Sequence, residues 1–418
     1  MQILNGRVFI DGNFVNADLK VENGLFTAIA PTGGLTPEGD TDILDCSGLK
    51  ILPGLFDIHT HGCLGHDFSR STAGDDLAMC RFYAAHGVTS ILATTMTSPL
   101  EQYRQACREI RAAMQRQEDY VQQADSVSAT DPTASSDRRP ESAPQARIRG
   151  INMEGPFLSA SKKGAHDPRY LYPVTDELFT ELNSLSGDAI KVLTIAPELP
   201  GAMDFIKNHA AAGADGHIIC DPAHQVISVG HSDCDYDTAM TAFSLGANHV
   251  THLYNAMRDP AHRAPGIVGA AADSSAFVEL ICDGLHVHES IIRNAFRSNP
   301  GRVVMISDSI SPTGLPDGPY TAGGMDVQMI NGEIRLANGT LAGSSITLFD
   351  ALARCITRFG IPEVEAINAA TLNPARSLGL ENCCGVIATG RQADFIVVDD
   401  TYRLHRSVVG GVGIGPTF

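Results

Sequence analysis

Eight short apolar segments, most of them followed by a helix-like segment, constrain the fold of this chain more than any other feature. Continuous apolar strands that alternate with helices predict a parallel sheet covered on both faces, because each crossover helix buries one side. Eight such units predict an α/β fold that closes into a (β/α)8 barrel of the TIM type. The segments are LFDIHTHG, VTSILATTMTS, IRGINMEGPF, IKVLTIAPE, QVISVGHS, ANHVTHLYNA, FVELICDGLHV and VVMISDSI.

The connections between these segments are mostly helical in pattern. The connection over 258–276 is different, and we expect it to be loop-rich with only a short helix. Residues 122–146 are rich in Ser, Ala, Asp and Pro and lack apolar periodicity, which predicts a flexible surface insertion without chemistry. Helices are predicted over 75–86, 100–118, 175–185, 235–245 and 288–298.

Both ends of the chain have the pattern of short strands joined by tight turns. Asp11-Gly12 and Asn23-Gly24 are hairpin signals near the start, and GVIATGRQADFIVVDD near the end has a similar strand pattern. We therefore predict one small β-sandwich domain formed from both termini. The predicted division is 1–51 and 373–418 for this domain and 52–372 for the barrel.

Composition narrows the class of protein. A chain of 418 residues, 43% hydrophobic, is long enough for one large domain and a smaller one. A net charge of −18 makes nucleic acid and anionic membranes unexpected partners. We expect no signal peptide and no membrane span, because the start of the chain has no basic stretch before an apolar core, and no apolar run is long enough. Ten scattered cysteines without a C-x-x-C pair favour a reducing cytoplasm.

His59 and His61 lie one residue apart after the first apolar segment. On a strand, residues i and i+2 point to the same face, so both imidazoles aim at one point. Two convergent ring nitrogens form half of a transition-metal site. The competing interpretation is a pair of polar residues at a strand end, each satisfied by the backbone.

Polar residues follow other predicted strands at corresponding places: Glu154 the third, His231 the fifth, His252 the sixth and Asp308 the eighth. The carboxyl ends of barrel strands converge, so these groups are expected to meet. A single histidine at a strand end is more often a hydrogen-bonded core residue. That interpretation does not explain why so many polar residues occur at the same ends of different strands. Unpaired buried charge costs several kcal/mol, and a divalent metal compensates it. The sequence therefore predicts a metal centre.

The barrel layout and the order of the motifs resemble the amidohydrolase superfamily, and more closely the N-acetylglucosamine-6-phosphate deacetylase family. The resemblance covers nearly the whole chain, and EGPF…KGAH with HLYNAM is its specific part. The motifs are PGLFDIHTHG, MEGPF followed by KKGAH, VGHS, HLYNAM followed by HRAPG, DGLHV, SDS and LAGSS.

The resemblance implies a role for each matching residue. It implies that Glu154, His231 and His252 bind the main metal, and that His59 and His61 bind a second metal bridged by Glu154. Some family members lack the His-x-His pair, so one or two divalent ions per subunit are expected. Zinc is the first expectation, and Fe, Mn, Co and Ni stay open because imidazole and carboxylate suit them all.

The same resemblance implies the catalytic and substrate-binding residues. Asp308 matches the catalytic acid and base, and His166 matches the residue that hydrogen-bonds the acetyl carbonyl. Arg263 in such proteins reaches across a dimer interface, so a homodimer is expected. The positions that match sugar- and phosphate-binding residues are Asn255, Ala256, Arg263 and His286.

The expected function is removal of the N-acetyl group of N-acetylglucosamine 6-phosphate, which gives glucosamine 6-phosphate and acetate in amino-sugar catabolism. The chain reads SDSI and RAPG where the family usually reads TDAM and REPG, which leaves the sugar open. The alternatives are the galactosamine epimer, another amidohydrolase with a different N-acyl substrate, and a non-catalytic sugar-phosphate sensor. Glu154 at the third strand disfavours relatives that bridge two metals with a carboxylated lysine, and the missing G-x-S-x-G elbow disfavours a serine hydrolase.

Overall fold

The computed structural model of the chain describes residues 1–36, 42–128, 144–210 and 225–415. None of its helices in these ranges is both long and apolar enough to cross a bilayer. The strands are β1 Gln2–Ile10, β2 Asn13–Glu22, β3 Leu25–Pro31, β4 Ile43–Asp45, β5 Lys50–Pro53, β6 Leu55–Thr60, β7 Val88–Thr95, β8 Arg147–Glu154, β9 Ile190–Ile195, β10 Val226–Val229, β11 His249–Val250, β12 Phe277–Ile281, β13 Val303–Ile306, β14 Gly318–Ala322, β15 Met325–Ile330, β16 Glu333–Leu336, β17 Phe395–Val398, β18 Leu404–Val409 and β19 Val412–Ile414. The α-helices are α1 Ala73–Ala85, α2 Leu100–Ser128, α3 Asp176–Ser186, α4 Ala202–His209, α5 Tyr236–Ser244, α6 Gly266–Ala272, α7 Glu289–Ser298, α8 Leu348–Thr357, α9 Glu363–Ala370 and α10 Leu372–Ser377.

Strands β6 to β13 form the barrel. They pair in chain order, and every pair is parallel. Backbone hydrogen bonds join the last strand to the first, because the Asp308 amide donates to the His59 carbonyl (2.9 Å) and the His61 amide donates to the Ser309 carbonyl (2.8 Å). The predicted (β/α)8 barrel is confirmed: seven of the eight apolar segments contain a whole barrel strand, and the third contains all of β8 except its first residue, Arg147.

The interior of the barrel is filled at its lower end, where the strands begin. Phe56, Val226 and Val304, each at the start of its strand, belong to one apolar cluster with Ala375 of α10. The Asn373 side-chain amide donates to the carbonyl of Val303 at the start of β13 (2.8 Å), which holds α10 across this end. A packed lower end leaves the carboxyl ends of the strands as the open face on which a site can form.

The predicted connecting helices are confirmed as α1, α2, α3, α5 and α7, and the short helix in 258–276 is α6. The prediction of a flexible insertion over 122–146 is wrong at both ends. Helix α2 continues to Ser128, and Gln145 and Ala146 are buried, with the Ala146 amide donating to the Cys80 carbonyl (2.9 Å). The polar composition of 122–128 is compatible with an extended helix, and 129–143 lie outside the described residues.

The terminal domain is one sheet of eight strands with the order β19-β18-β17-β5-β1-β2-β3, in which β4 also pairs with β1. Strand β3 is four places from β17 along this sheet, yet the rings of Phe26 and Phe395 lie 5.9 Å apart. Strands are spaced about 4.8 Å apart, so the sheet must fold back on itself to bring these rings together. The predicted sheet domain from both termini is therefore confirmed. Its boundaries at 51/52 and 372/373 stay a prediction, because β5 and α10 run across them.

A second, smaller sheet was not predicted. Strands β14, β15 and β16 form an antiparallel meander after the barrel closes. Val327, Met329 and Ile334 bury their side chains against Ile310, directly above the end of β13. We call strands β14–β16 the cover sheet, because it lies over the open face of the barrel.

A buried carboxyl group on α1 makes the free energy of unfolding depend on pH. Burial raises the pKa of Asp76 to about 7 from an ordinary 3.8, although Ser71 donates a hydrogen bond to it. Between pH 4 and 7 the native state holds a proton that the unfolded state has lost, so stability falls as pH rises, by up to about 4 kcal/mol. We expect Asp76→Asn to abolish this fall and to be more stable than wild type at pH 8. Urea unfolding between pH 4 and 8 measures the free energy of unfolding of both proteins. Asp119→Asn, which changes an exposed carboxylate, is the control. The prediction would be contradicted if the free energies of unfolding of wild type and Asp76→Asn changed with pH in parallel.

Candidate active site

Glu154, the last residue of β8, is the centre of the site. Its Oε1 lies 3.0 Å from Nε2 of His231 and 2.9 Å from Nε2 of His252, and the two ring nitrogens are 3.1 Å apart. The three residues place their ligand atoms within 4.8 Å of one another, and all three are buried. We call Glu154, His231 and His252 the first metal group.

His59, His61 and Asp308 form a second metal group beside the first, with the same mutual spacing of ligand atoms. Nε2 of His61 lies 3.2 Å from Oδ1 of Asp308 and 3.2 Å from Oε2 of Glu154. Nε2 of His59 lies 3.5 Å from Oε1 of Glu154. Oε1 of Glu154 thus lies near the first group and His59, and Oε2 lies near His61, so a single carboxylate contacts both groups.

Several of these residues lie on unusual backbone. His231, His252 and Asp308 have φ angles of 47°, 28° and 50°, and Ala256 has a φ of 49°. L-residues rarely adopt this left-handed region, which costs of the order of 1–2 kcal/mol per residue. Each of the three ligand candidates follows the end of a barrel strand, and the reversed backbone turns its side chain toward Glu154. The surrounding barrel has to hold this conformation.

The residues present fit a divalent metal. Nε2 of His59 is buried and has no hydrogen-bond partner among the described residues. The Nδ1 of His59 donates to Glu279 (2.8 Å) and the Nδ1 of His231 donates to the Lys162 carbonyl (2.8 Å), so the Nε2 lone pairs of both rings face the centre. Imidazole nitrogens combined with carboxylate oxygens suit Zn and the neighbouring transition metals.

The electrostatics of the centre favour a cation. Burial would lower the pKa of His61, but hydrogen bonds to Asp308 and Glu154 raise it to about 9. Burial lowers the pKa of His231 to about 4 and keeps that ring neutral. Burial would raise the pKa of Glu154, but the charges of the surrounding histidines lower it well below its usual range. The carboxylates thus attract positive charge, which a metal supplies in exchange for protons.

His166 completes the wall of the site. Its Nδ1 accepts from the Thr97 backbone amide (3.3 Å) and lies 3.0 Å from the Thr97 hydroxyl, so the neutral ring carries its hydrogen on Nε2. Nε2 lies 3.2 Å from Oε2 of Glu154. His166 therefore presents an N–H donor to the centre rather than a lone pair.

The site opens into a cavity of about 220 Å³ at the carboxyl end of the barrel. The structure brings Asn255, Ala256 and His286 to its wall, together with the metal-group residues except His59. Nδ1 of His286 donates to Asp283 (2.7 Å), which leaves Nε2 as the ring nitrogen without a hydrogen bond to the described residues. Arg263 is exposed and is absent from the cavity lining, so the structure does not bring it to the site of its own chain.

The cover sheet supplies an apolar wall that sequence analysis missed. The cavity is lined there by Ala322, Met325 and Val327, and by the loop that follows the sheet. The turn pairs Gly323-Gly324 and Asn331-Gly332 are hairpin signals between alternating residues, and they could have revealed these strands. Thr97, which sets the ring tautomer of His166, had no comparable signal.

Glu279 was also missed. It is fully buried on β12, and its carboxylate accepts from the His59 ring. The signal was a single carboxylate inside the apolar segment FVELIC, which burial permits only with partners. His249, which had no motif context, lies 3.6 Å from the other oxygen of Glu279.

Comparisons with known proteins agree with this geometry. The amidohydrolase family model matches residues 223–411. The chain is 30% identical over 411 residues to the N-acetylglucosamine-6-phosphate deacetylase of Vibrio furnissii, covering 98% of this chain and 92% of that protein. The chain belongs to the N-acetylglucosamine-6-phosphate deacetylase family of the amidohydrolase superfamily. The family resemblance predicted from the motifs is confirmed.

Two further relatives show the breadth of this similarity. The chain is 30% identical to the N-acetylgalactosamine-6-phosphate deacetylase of Escherichia coli O157:H7, over 94% of this chain and 93% of that protein. The crystal structure of N-acetylglucosamine-6-phosphate deacetylase from Pasteurella multocida superposes with a TM-score of 0.84 at 26% identity, covering 99% of each chain. The likeness therefore includes the terminal sheet domain as well as the barrel.

Proposed function

We propose that the protein is a metal-dependent hydrolase that removes the N-acetyl group of N-acetylglucosamine 6-phosphate, releasing acetate and glucosamine 6-phosphate. The observation that carries this proposal is the convergence of two metal groups on the single carboxylate of Glu154, beside Asp308 and His166. The similarity to deacetylases over nearly the whole chain supports the reaction type.

The metal groups hold one or two divalent ions, with zinc proposed first. A bound metal of this kind supplies a water nucleophile of lowered pKa and polarises the amide carbonyl. Asp308 lines the cavity and is 8% exposed, so a substrate in the cavity can contact its carboxylate while bulk solvent is largely excluded. Burial would raise the pKa of Asp308, but the hydrogen bond from His61 and the charges of His59 and His61 lower it. The ionised carboxylate takes a proton from water and then delivers it to the departing amine nitrogen.

His166 stabilises the oxygen of the acetyl carbonyl in the proposed reaction. Its Nε2–H is fixed by the Thr97 contacts on the opposite ring nitrogen. A donor that is already oriented toward developing negative charge needs no reorganisation during the reaction. Oxyanion donors of this kind are worth roughly 100- to 1000-fold in rate. The assignment of Asp308 and His166 to these roles is part of the proposal.

The 6-phosphate of the substrate requires a cation, and no Lys or Arg lines the cavity in the described part of the chain. Asn255, Ala256 and His286 are proposed to bind the sugar and phosphate from within the chain. We propose that Arg263, which is exposed, supplies the missing guanidinium to the site of a second subunit. A guanidinium matches phosphate with two parallel hydrogen bonds. The protein is accordingly proposed to act as a homodimer, in the cytoplasm.

Arg263→Ala is expected to raise KM for the phosphorylated sugar about 10- to 100-fold with little change in kcat. The reason is the loss of a charged hydrogen bond, worth about 1.5–3 kcal/mol, that is made equally in the ground and transition states. Steady-state kinetics on phosphorylated and unphosphorylated sugars measure it. Arg297→Ala, which removes an exposed charge at the end of α7, is the control. An unchanged KM for the phosphorylated sugar would show that Arg263 is not the anchor.

The galactosamine epimer is the second candidate substrate. The relative from Escherichia coli O157:H7 that carries this name has the same 30% identity as the glucosamine enzyme. Ile310, in the SDSI segment that departs from the family pattern, lines the cavity next to Asp308. A changed side chain at that place can alter which hydroxyl orientation fits.

Acetate release from both phosphorylated epimers, measured side by side after metal reconstitution, tests the proposed function. The unphosphorylated sugars are the matched controls. We expect the glucosamine epimer to be hydrolysed fastest and the unphosphorylated sugars poorly. Faster hydrolysis of the galactosamine epimer would make N-acetylgalactosamine 6-phosphate the main substrate instead. No acetate from either phosphorylated sugar, with metal bound, would refute the function.

A further inference from the structure

We propose, on the basis of the metal centre in the proposed function, that Glu279 is a positioning residue that orients His59 and thereby builds the second metal position. Glu279 lies on β12, one strand beyond the ligand-bearing β11 segment, and is fully buried. It does not line the cavity, so its effect on the reaction is indirect.

The contact between Glu279 and His59 is short and entirely enclosed. Oε2 of Glu279 lies 2.8 Å from Nδ1 of His59, and both side chains are 0% exposed. The same oxygen accepts from the His252 backbone amide (3.3 Å), and the Glu279 carbonyl accepts from the Leu253 amide (2.8 Å). One residue thus joins a ring of the second metal group to the backbone of the first.

This contact sets the tautomer of His59. A carboxylate only accepts, so Nδ1 of His59 carries a hydrogen, and in the neutral ring that a metal requires Nε2 carries the lone pair. Nε2 lies 3.6 Å from Oδ1 of Asp308 and has no hydrogen-bond partner among the described residues. The other tautomer, or a flipped ring, would place a hydrogen where the metal must bind. An outer carboxylate on a ligand histidine commonly fixes the ring in this way and makes it a stronger ligand.

Glu279 acts on one ligand ring and not on the others. Nδ1 of His231 donates to the Lys162 backbone carbonyl (2.8 Å), while Nδ1 of His61 and of His252 has no partner in the described ranges. Loss of the Glu279 charge is therefore expected to weaken the second metal position selectively. The first position keeps its own three ligands.

The opposite side of Glu279 holds a second histidine. Nδ1 of His249 lies 3.6 Å from Oε1 of Glu279, and its ring stacks on Phe277 with centroids 5.8 Å apart. The ion pairs of Glu279 in the described residues are both with histidines. A carboxylate enclosed in an apolar strand without Lys or Arg is costly to bury, and its orientation toward the His59 ring gives a reason for its presence.

Metal content of Glu279→Gln tests this inference, because the amide keeps the shape and an acceptor oxygen but removes the charge. We expect wild type to retain two zinc ions per chain after dialysis and Glu279→Gln to retain one. Competition titration should show the second dissociation constant weakened about 10- to 100-fold and the first unchanged. Asp76→Asn, an equally buried carboxylate-to-amide change away from the site, should keep both ions.

His59→Asn is the reference for loss of the second position. Adding Glu279→Gln to His59→Asn should cause no further loss of zinc, because both changes remove the same position. Two ions in Glu279→Gln at wild-type affinity, equal weakening of both positions, or a single ion in saturated wild type would each overturn the inference. Acetate release by wild type is measured separately. If wild type binds a single zinc at saturation and still deacetylates, the role of Glu279 is refuted while the proposed function stands.

Discussion

Asp308→Asn is expected to reduce kcat for acetate release by about 100- to 10,000-fold while KM and the main metal remain. The amide fills the same space and still accepts hydrogen bonds, but it cannot take a proton from water or return one to the amine. The first metal group does not include Asp308, so its zinc should stay. Steady-state kinetics together with zinc content per chain measure both parts.

A surface change of equal charge is the control for this variant. Asp326→Asn lies on the exposed side of β15 and should leave kcat unchanged. Full hydrolytic activity of metal-loaded Asp308→Asn would show that the proton is carried by another group. Loss of the main zinc in the same variant would instead assign Asp308 to metal binding alone.

Glu154→Gln is expected to lose bound zinc and to lower activity by more than about 100-fold. Even the hydrogen-bond partners of metal ligands change metal affinity or activity about 10- to 100-fold when they are mutated. Glu154 contacts both metal groups directly, so its loss should have a larger effect. The neutral amide also removes the negative charge that balances the metal. Zinc content and kcat/KM, compared with chelator-treated wild type, measure this effect.

Readdition of zinc separates metal loss from damage to the fold. Chelated wild type should regain activity with zinc, whereas Glu154→Gln should not. Glu177→Gln, an exposed carboxylate-to-amide change in the first turn of α3, should behave as wild type. Wild-type zinc content in Glu154→Gln would remove Glu154 from the metal centre.

The barrel could be predicted from the sequence because its signal is local and repeated. Apolar strands such as VTSILATT are buried along their whole length, as a two-sided parallel sheet requires. The cover sheet was missed because its strands bury only alternate residues, as in β15 with its alternating exposed and buried positions. The end of the long helix α2 was missed because its polar residues lack the apolar face by which helices are recognised.

The ligands could be predicted because each one interrupts an apolar strand end, and the barrel brings such ends together. Three-dimensional contacts decide the remaining features, and no spacing reports them. Thr97 meets His166 from 69 positions away, and Glu279 meets His59 from 220 positions away. The left-handed backbone at His231 also has no sequence signature, since only a small fraction of histidines adopt a positive φ.

The terminal sheet has a consequence for how the chain is made. Strand β5 pairs on one side with β1 and on the other with β17, which is synthesised more than about 300 residues later. At about 5–20 residues per second, ribosomes leave this edge without its partner for roughly 15–60 s. An open apolar edge recruits other strands. We therefore expect the β17 side of β5 to stay exposed on the nascent chain until the last strands leave the ribosome.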